Sequence, residues 1–192
     1  MKIKTIDLIM AALFAALMGI GANIAAFLPP ISGVPLTFQT IIAILAGAVL
    51  GSRIGTLSMV VYALIGLVGA PIFADFSGGF GTIFGSSFGF ILSFIVMAFA
   101  VGKIVETAKR PSLPVFIFAG YVGLAINYVI GTTYMYGALN LWLHSPMSYA
   151  SAWVIMIPFL IKDAILTFVI AIASERIYRS LKRPTPTKKH AA

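Results

Sequence analysis

Lys162 and Asp163 stand side by side in the middle of the apolar run from Ala150 to Ala173, which holds no other charged residue. At the centre of a membrane helix each such residue costs about 2.5 to 3.5 kcal/mol, so an ionisable group at that depth is read as a functional site. A lysine there suits a ligand carboxylate, and an aspartate suits ligand N–H donors. Adjacent helical residues point about 100° apart, so the pair is expected to face in different directions and to need separate partners. Asp75 is the protein alternative as counter-ion for Lys162. Gln39 and Asn127 are the other strongly polar side chains at expected membrane depth, and each suits a ligand contact or an interhelical hydrogen bond.

A second group of candidates lies in the glycine-dense stretch from Gly69 to Gly81 and its continuation Gly85-Ser86-Ser87-Phe88-Gly89. Asp75, Ser77, Gly78, Gly79 and Ser86 belong to it. Backbone polar groups at membrane depth are tolerated where they line a protected cavity. A tight outer turn and a ligand loop both fit this composition. Tyr128, with Tyr62, Phe73, Phe76, Tyr121, Tyr134 and Tyr136, suits the wall of a pocket for a flat ligand or an interfacial belt.

Several chemistries are excluded. The Gly85 to Gly89 stretch has the spacing of a nucleophile elbow, but the histidines, His144 and His190, fall in a loop and a tail, where neither serves as its base. There is no phosphate-binding glycine loop ending in Lys-Ser/Thr, no His/carboxylate cluster with metal spacing and no cysteine. Neither a cofactor, a metal nor an enzymatic activity is expected.

The elements that position these residues are membrane helices. The chain is 60% hydrophobic and only 9% charged, with a mean hydropathy of +1.06, whereas soluble domains carry about 25% charged residues. Six apolar runs fit a core of about 30 Å: residues 6–28, 34–50, 54–73, 84–101, 115–136 and 150–173. Twelve of the 13 Lys and Arg residues fall before the first run, between the second and third, between the fourth and fifth, and after the sixth. Lys162 is the remaining one. Cytoplasmic loops collect such charges, so the expectation is an all-α bundle of six transmembrane helices with both termini cytoplasmic and a basic tail over 176–192. Membrane orientation accounts for the net charge of +8, and the tail suits anionic lipid, not nucleic acid. The N-terminus imitates a secretory signal, but its apolar run is long enough to span. One integral membrane domain over 1–192 is expected, since short connections leave almost nothing for a soluble one. In the first helix Ala11 with Ala15, and Ala12 with Ala16, form a flat strip suited to close helix packing, inside the bundle or against a partner subunit.

Taken together these residues resemble the BioY family, the substrate-binding S components of energy-coupling factor (ECF) vitamin transporters. The resemblance runs from Ala11 to about Ile177 and rests on Val34-Pro35-Leu36-Thr37-Phe38-Gln39-Thr40, the Gly51 to Gly55 turn, the Tyr62 to Gly79 run and Lys162-Asp163. The chain departs from the family at Gly85-Ser86-Ser87-Phe88-Gly89-Phe90, where a Gly-Pro-Thr-Gly-Gly-Tyr stretch is usual. The resemblance implies a biotin pocket open to the outside, with docking of Ala11/Ala15 or Ala12/Ala16 on an EcfT-like coupling subunit driven by two ABC-type ATPases. Lys162, Asp163, Asn127, Tyr128, Gln39, Asp75, Ser77, Gly78, Gly79 and Ser86 are the residues expected at that pocket. The competing readings are an S component for another vitamin and an ion-coupled secondary transporter, although the two repeated halves usual in the latter are not seen.

Overall fold

The computed structural model of the chain describes residues 4–24, 26, 34 and 36–182. Among them are five helices long and apolar enough to cross a membrane: α1 (Thr5–Asn23), α2 (Gln39–Leu67), α3 (Phe88–Thr107), α4 (Leu113–Leu141) and α5 (Tyr149–Lys182). Two short 3-10 turns, Ala74–Phe76 and Phe80–Phe84, lie on the connection from α2 to α3.

The second and third apolar runs are the two legs of α2. The chain leaves helical geometry at Gly51, with φ 85° and ψ 172°, a conformation essentially confined to glycine. A Cβ on Gly55 would lie 2.9 Å from Ala46 and Gly47, whereas residues nine apart on one straight helix are separated by about 13 Å. The legs 39–50 and 52–67 therefore fold back on each other. Glu106 from the end of α3 closes the turn: its two carboxylate oxygens accept from Ser52 N and Ser52 Oγ, each at 2.7 Å. This satisfies a donor at the start of the second leg, where the helix dipole favours negative charge.

Element boundaries differ from the apolar runs at most ends. The described part of α1 stops at Asn23, and the end of the first run, with residues 27–33, lies outside the described residues. The second leg of α2 ends at Leu67, short of Phe73, because Gly69 takes φ +115°. α3 starts at Phe88, four residues late, since 80–84 winds as a 3-10 turn. α3, α4 and α5 all run beyond their apolar segments. Arg176 and Arg179 thus belong to α5, not to a tail, and Arg179 pairs with Glu175 at 2.6 Å one turn away. Hydropathy marks the part of a helix that meets lipid, while the backbone ladder continues through polar flanks. Residues 183–192 of the expected tail lie outside the described residues.

Small residues let the helices approach to backbone contact. Gly47 lies against the Ala98 backbone, Gly102 against Gly51 and Ser52, and Gly123 against Met97 and Val101. In lipid such contacts, not a hydrophobic driving force, hold helices together. Met18, Met59, Tyr62, Met97 and Val101 are fully buried at the centre, and a second cluster of Leu124, Tyr128, Met135, Met156 and Phe159 joins α4 to α5. α5 turns Val154, Ile157, Ile161, Ile165 and Phe168 outward, the lipid-facing stripe of a helix that keeps its polar groups inside.

A side chain at Gly51 would demand strained backbone and would also strike the Glu106 carboxylate. Gly51→Ala is therefore expected to lower unfolding stability by about 2 kcal/mol, measured by reversible denaturation in detergent micelles.

Candidate ligand-binding site

The first turn of α2, the start of α3 and the middles of α4 and α5 converge at the end of the bundle that carries the 68–87 connection, and they line a cavity there. α5 contributes Met156, Phe159 and Asp163 from one face, a spacing of three and four residues that stacks them along the helix. α3 contributes Phe88, Phe90, Ile91 and Phe94. The wall mixes aromatic and aliphatic side chains with polar groups, among them Gln39, Thr40, Asn127, Tyr128, Lys162 and Asp163.

Asp163 is the hub. It is only 4% exposed, and its Oδ2 accepts from Thr40 Oγ1 at 3.0 Å and from Tyr128 Oη at 2.9 Å. Asn127 donates to Thr40 Oγ1 at 3.4 Å and accepts from Ser93 Oγ at 2.6 Å. One carboxylate thus ties α2, α4 and α5 together, and Asn127 adds α3. Gln39 donates to Tyr62 Oη at 2.7 Å, and Tyr62 donates in turn to Ile72 O at 3.1 Å.

The expectation of separate partners for Lys162 and Asp163 is corrected by the structure. Lys162 Nζ lies 2.9 Å from Asp163 Oδ1, because the lysine's four-carbon stem bends across the angular offset between the two Cβ positions. The contact is an ion pair outside hydrogen-bond alignment. Lys162 also donates to Thr37 O and sits 5.5 Å from the centre of the Phe38 ring, a cation–π distance. Its side chain keeps 22% exposure, against 5% for Asp163. The ammonium therefore lies toward the mouth and the carboxylate in the wall.

The other expected residues divide. Gln39, Asn127, Tyr128 and Ser77 line the cavity with the charged pair. Asp75 and Ser86 face an outer vestibule and not the cavity, and Val34, Ala74, Ser77, Ser87 and Phe90 line both spaces and form the neck between them. Gly78 and Gly79 line neither. They shape the turn: Gly79 N donates to Gly66 O at 2.7 Å, and a Cβ on Gly78 would collide with Ala70 O. Sequence reasoning passed over Thr40, since a lone threonine in an apolar helix carries no signal beyond its place beside Gln39. Met156 and Phe159 were readable in principle, because helical spacing from Asp163 puts them on its face.

Apolar helices enclosing a small, polar-hubbed cavity define a multi-pass membrane protein of the class built around a small-molecule site. Sequence comparison gives the family: residues 1–183 match the BioY family, and the chain belongs to it. It is 46% identical over 186 residues to a putative biotin transporter, BioYB, of Bacillus subtilis, covering 96% of this chain and 93% of that protein. It is 35% identical over 171 residues to the biotin transporter BioY of Thermotoga maritima, covering 89% and 95%. The crystal structure of the S component for biotin from an ECF-type ABC transporter superposes with a TM-score of 0.64 over 95% of this chain and 96% of that one, at 24% identity. That likeness is one of fold.

Removing the lysine would leave the buried carboxylate without its cation. Lys162→Met is expected to cost about 2 to 3 kcal/mol of stability, the low end of a buried-pair deletion because the ammonium is partly exposed. The double variant Lys162→Met with Asp163→Asn is expected to recover part of the loss in a double-mutant unfolding cycle.

Proposed function

We propose that the protein is the biotin-binding S component of an ECF vitamin transporter, a transport subunit and not an enzyme. The observation that carries this reading is Asp163, a nearly fully buried carboxylate set in the wall of an aromatic cavity. The family membership and the biotin transporters among the relatives support the choice of ligand. Biotin carries a ureido ring with two N–H donors and one acceptor, a thioether ring and a carboxylate tail. Asp163 would accept from the ureido N–H groups, with the amides of Asn127 and Gln39 completing the polar set. Phe88, Phe90, Phe94, Phe159 and Met156 would wall the thioether ring. Lys162, nearer the mouth, would exchange part of its contact with Asp163 for the ligand carboxylate. Ser77 would close the neck, while Asp75 and Ser86 would line the approach.

In this reading the two legs of α2 count as separate spans, giving a six-helix membrane domain. The lysine- and arginine-free connections face outward and both termini face the cytoplasm of a bacterial or archaeal cell. The cavity lies at the outward end. Capture there is followed by delivery through an EcfT-like coupling subunit and two ABC-type ATPases, and the chain itself needs no cofactor. Of the two small-residue pairs on α1, Ala11 and Ala15 are buried within the chain, whereas Ala12 and Ala16 are exposed. Ala12/Ala16 is therefore the pair free to dock.

Titration calorimetry of the detergent-purified chain tests the assignment. Wild type is expected to bind biotin, and Lys162→Ala and Asp163→Asn each to weaken it at least about tenfold, the scale of one charge-assisted hydrogen bond. Unchanged affinity in Asp163→Asn would make Asp163 a packing residue. Binding of riboflavin or thiamin in place of biotin would move the chain to another ligand of the same transporter class.

A further inference from the structure

The neck of the cavity is held by a strained loop. Asp75 and Phe76 occupy the left-handed region in succession, at φ 57° and φ 52°, a conformation unfavourable for any residue with a Cβ and especially for a bulky aromatic one. Strain of this kind persists only where surrounding contacts enforce it. The loop's own contacts are short range: Phe73 N donates to Ser77 O at 3.0 Å, and Ser77 N to Ala74 O at 3.2 Å.

The contact from outside comes from α1. Asn23, 8% exposed, accepts from Phe76 N at 2.7 Å through Oδ1, and its amide donates to Gly19 O at 3.1 Å and Ile72 O at 3.5 Å. Gly19, one turn earlier, sits against Ile72, so this face of α1 is shaped to receive the loop. The other half of the connection is anchored differently. Tyr134 of α4 and Trp142, the residue that follows that helix, donate to the carbonyls of Ile83 and Phe84 respectively. Gly79 N is tied to Gly66 O. The connection thus has one end fixed on α4, while the strap is anchored at Ile72 and Phe73 by Tyr62 of α2 and, among the described residues, at the strained Phe76 by Asn23 of α1; the strap carries Ala74 and Ser77 of the neck.

We propose that Asn23 latches the 72–77 strap across the neck of the cavity and thereby sets how long a bound ligand stays. Asn23 touches no part of the cavity. It acts through Phe76 N, as a positioning residue. With the latch broken, the strained residues relax and the neck opens. The biotin arm of this inference rests on the function proposed above; the latch itself does not.

Two measurements separate them. Hydrogen–deuterium exchange of peptides covering 72–79, without ligand, reads the latch. Stopped-flow dissociation of biotin reads its effect. Asn23→Ala is expected to raise exchange in these peptides and to speed biotin release about tenfold, the scale of one lost buried hydrogen bond. Phe76→Asn keeps the N–H, tolerates the left-handed backbone better, and removes a side chain that is 56% exposed. It is expected to act in the opposite direction, slowing exchange and slowing release about threefold. A merely structural role for Asn23 would lower the unfolding temperature and leave Phe76→Asn without effect on release. Unchanged exchange at 72–79 in Asn23→Ala overturns the latch, as does raised exchange with unchanged biotin release. If Asn23→Ala does not fold, Phe76→Asn decides alone: faster or unaltered exchange and release overturn the proposal. A wild-type chain that binds no biotin contradicts the ligand, while the exchange experiment still decides the latch.

Discussion

A carboxylate buried at membrane depth has to be surrounded by donors, and the arrangement of this bundle follows from that requirement at Asp163. Asp163 is only 4% exposed, so the protein supplies its partners: the Tyr128 and Thr40 hydroxyls donate at 2.9 and 3.0 Å, and the Lys162 ammonium pairs with it at 2.9 Å. Each donor is on a fixed helix, and the requirement therefore sets which helices meet and at what height. Asn127 and Ser93 extend the same network to α3. The polar hub costs stability that apolar side chains would not.

Holding four helices against one small group needs close approach elsewhere. Gly47 and Gly102 supply it by meeting the backbone of a neighbouring helix, and Gly123 by receiving the side chains of Val101 and Met97. The reversal at Gly51, sealed by Glu106, makes its end of the bundle compact and fixed. The opposite end is open, aromatic and loop-covered. The fold thus joins a compact base, closed at Gly51 and Glu106, to a loop-covered end that holds the cavity.

Much of this was legible in the chain. The apolar runs and the lone basic residue within them marked the membrane helices and singled out Lys162, and the expense of a charge at that depth marked Asp163. Gln39 and Asn127 were found because amides in lipid-depth helices need partners, and Tyr128 as one of the aromatics suited to a pocket wall. What one-dimensional reasoning lost was geometry. The angular offset between neighbouring helical residues held for the Cβ positions but not for a lysine stem long enough to bend back to its neighbour. Gly78 and Gly79 were read with the ligand loop because dense glycine looks alike in a turn and in a binding loop. The backbone carbonyl of Thr37 and the paired left-handed residues at 75–76 leave no side-chain pattern to read.

Biotin in the cavity around Asp163 would shield the residues of its neck. The chain contains no cysteine, so a single Ser87→Cys, at the exposed neck, would carry the sole thiol, and Ser86→Cys in the vestibule would serve as its control. The rate of labelling by a small water-soluble maleimide, measured with and without saturating biotin, tests the claim most directly. Biotin is expected to slow labelling at position 87 far more than at position 86, with the same concentration dependence as binding. Labelling at position 87 that is indifferent to bound biotin would contradict it.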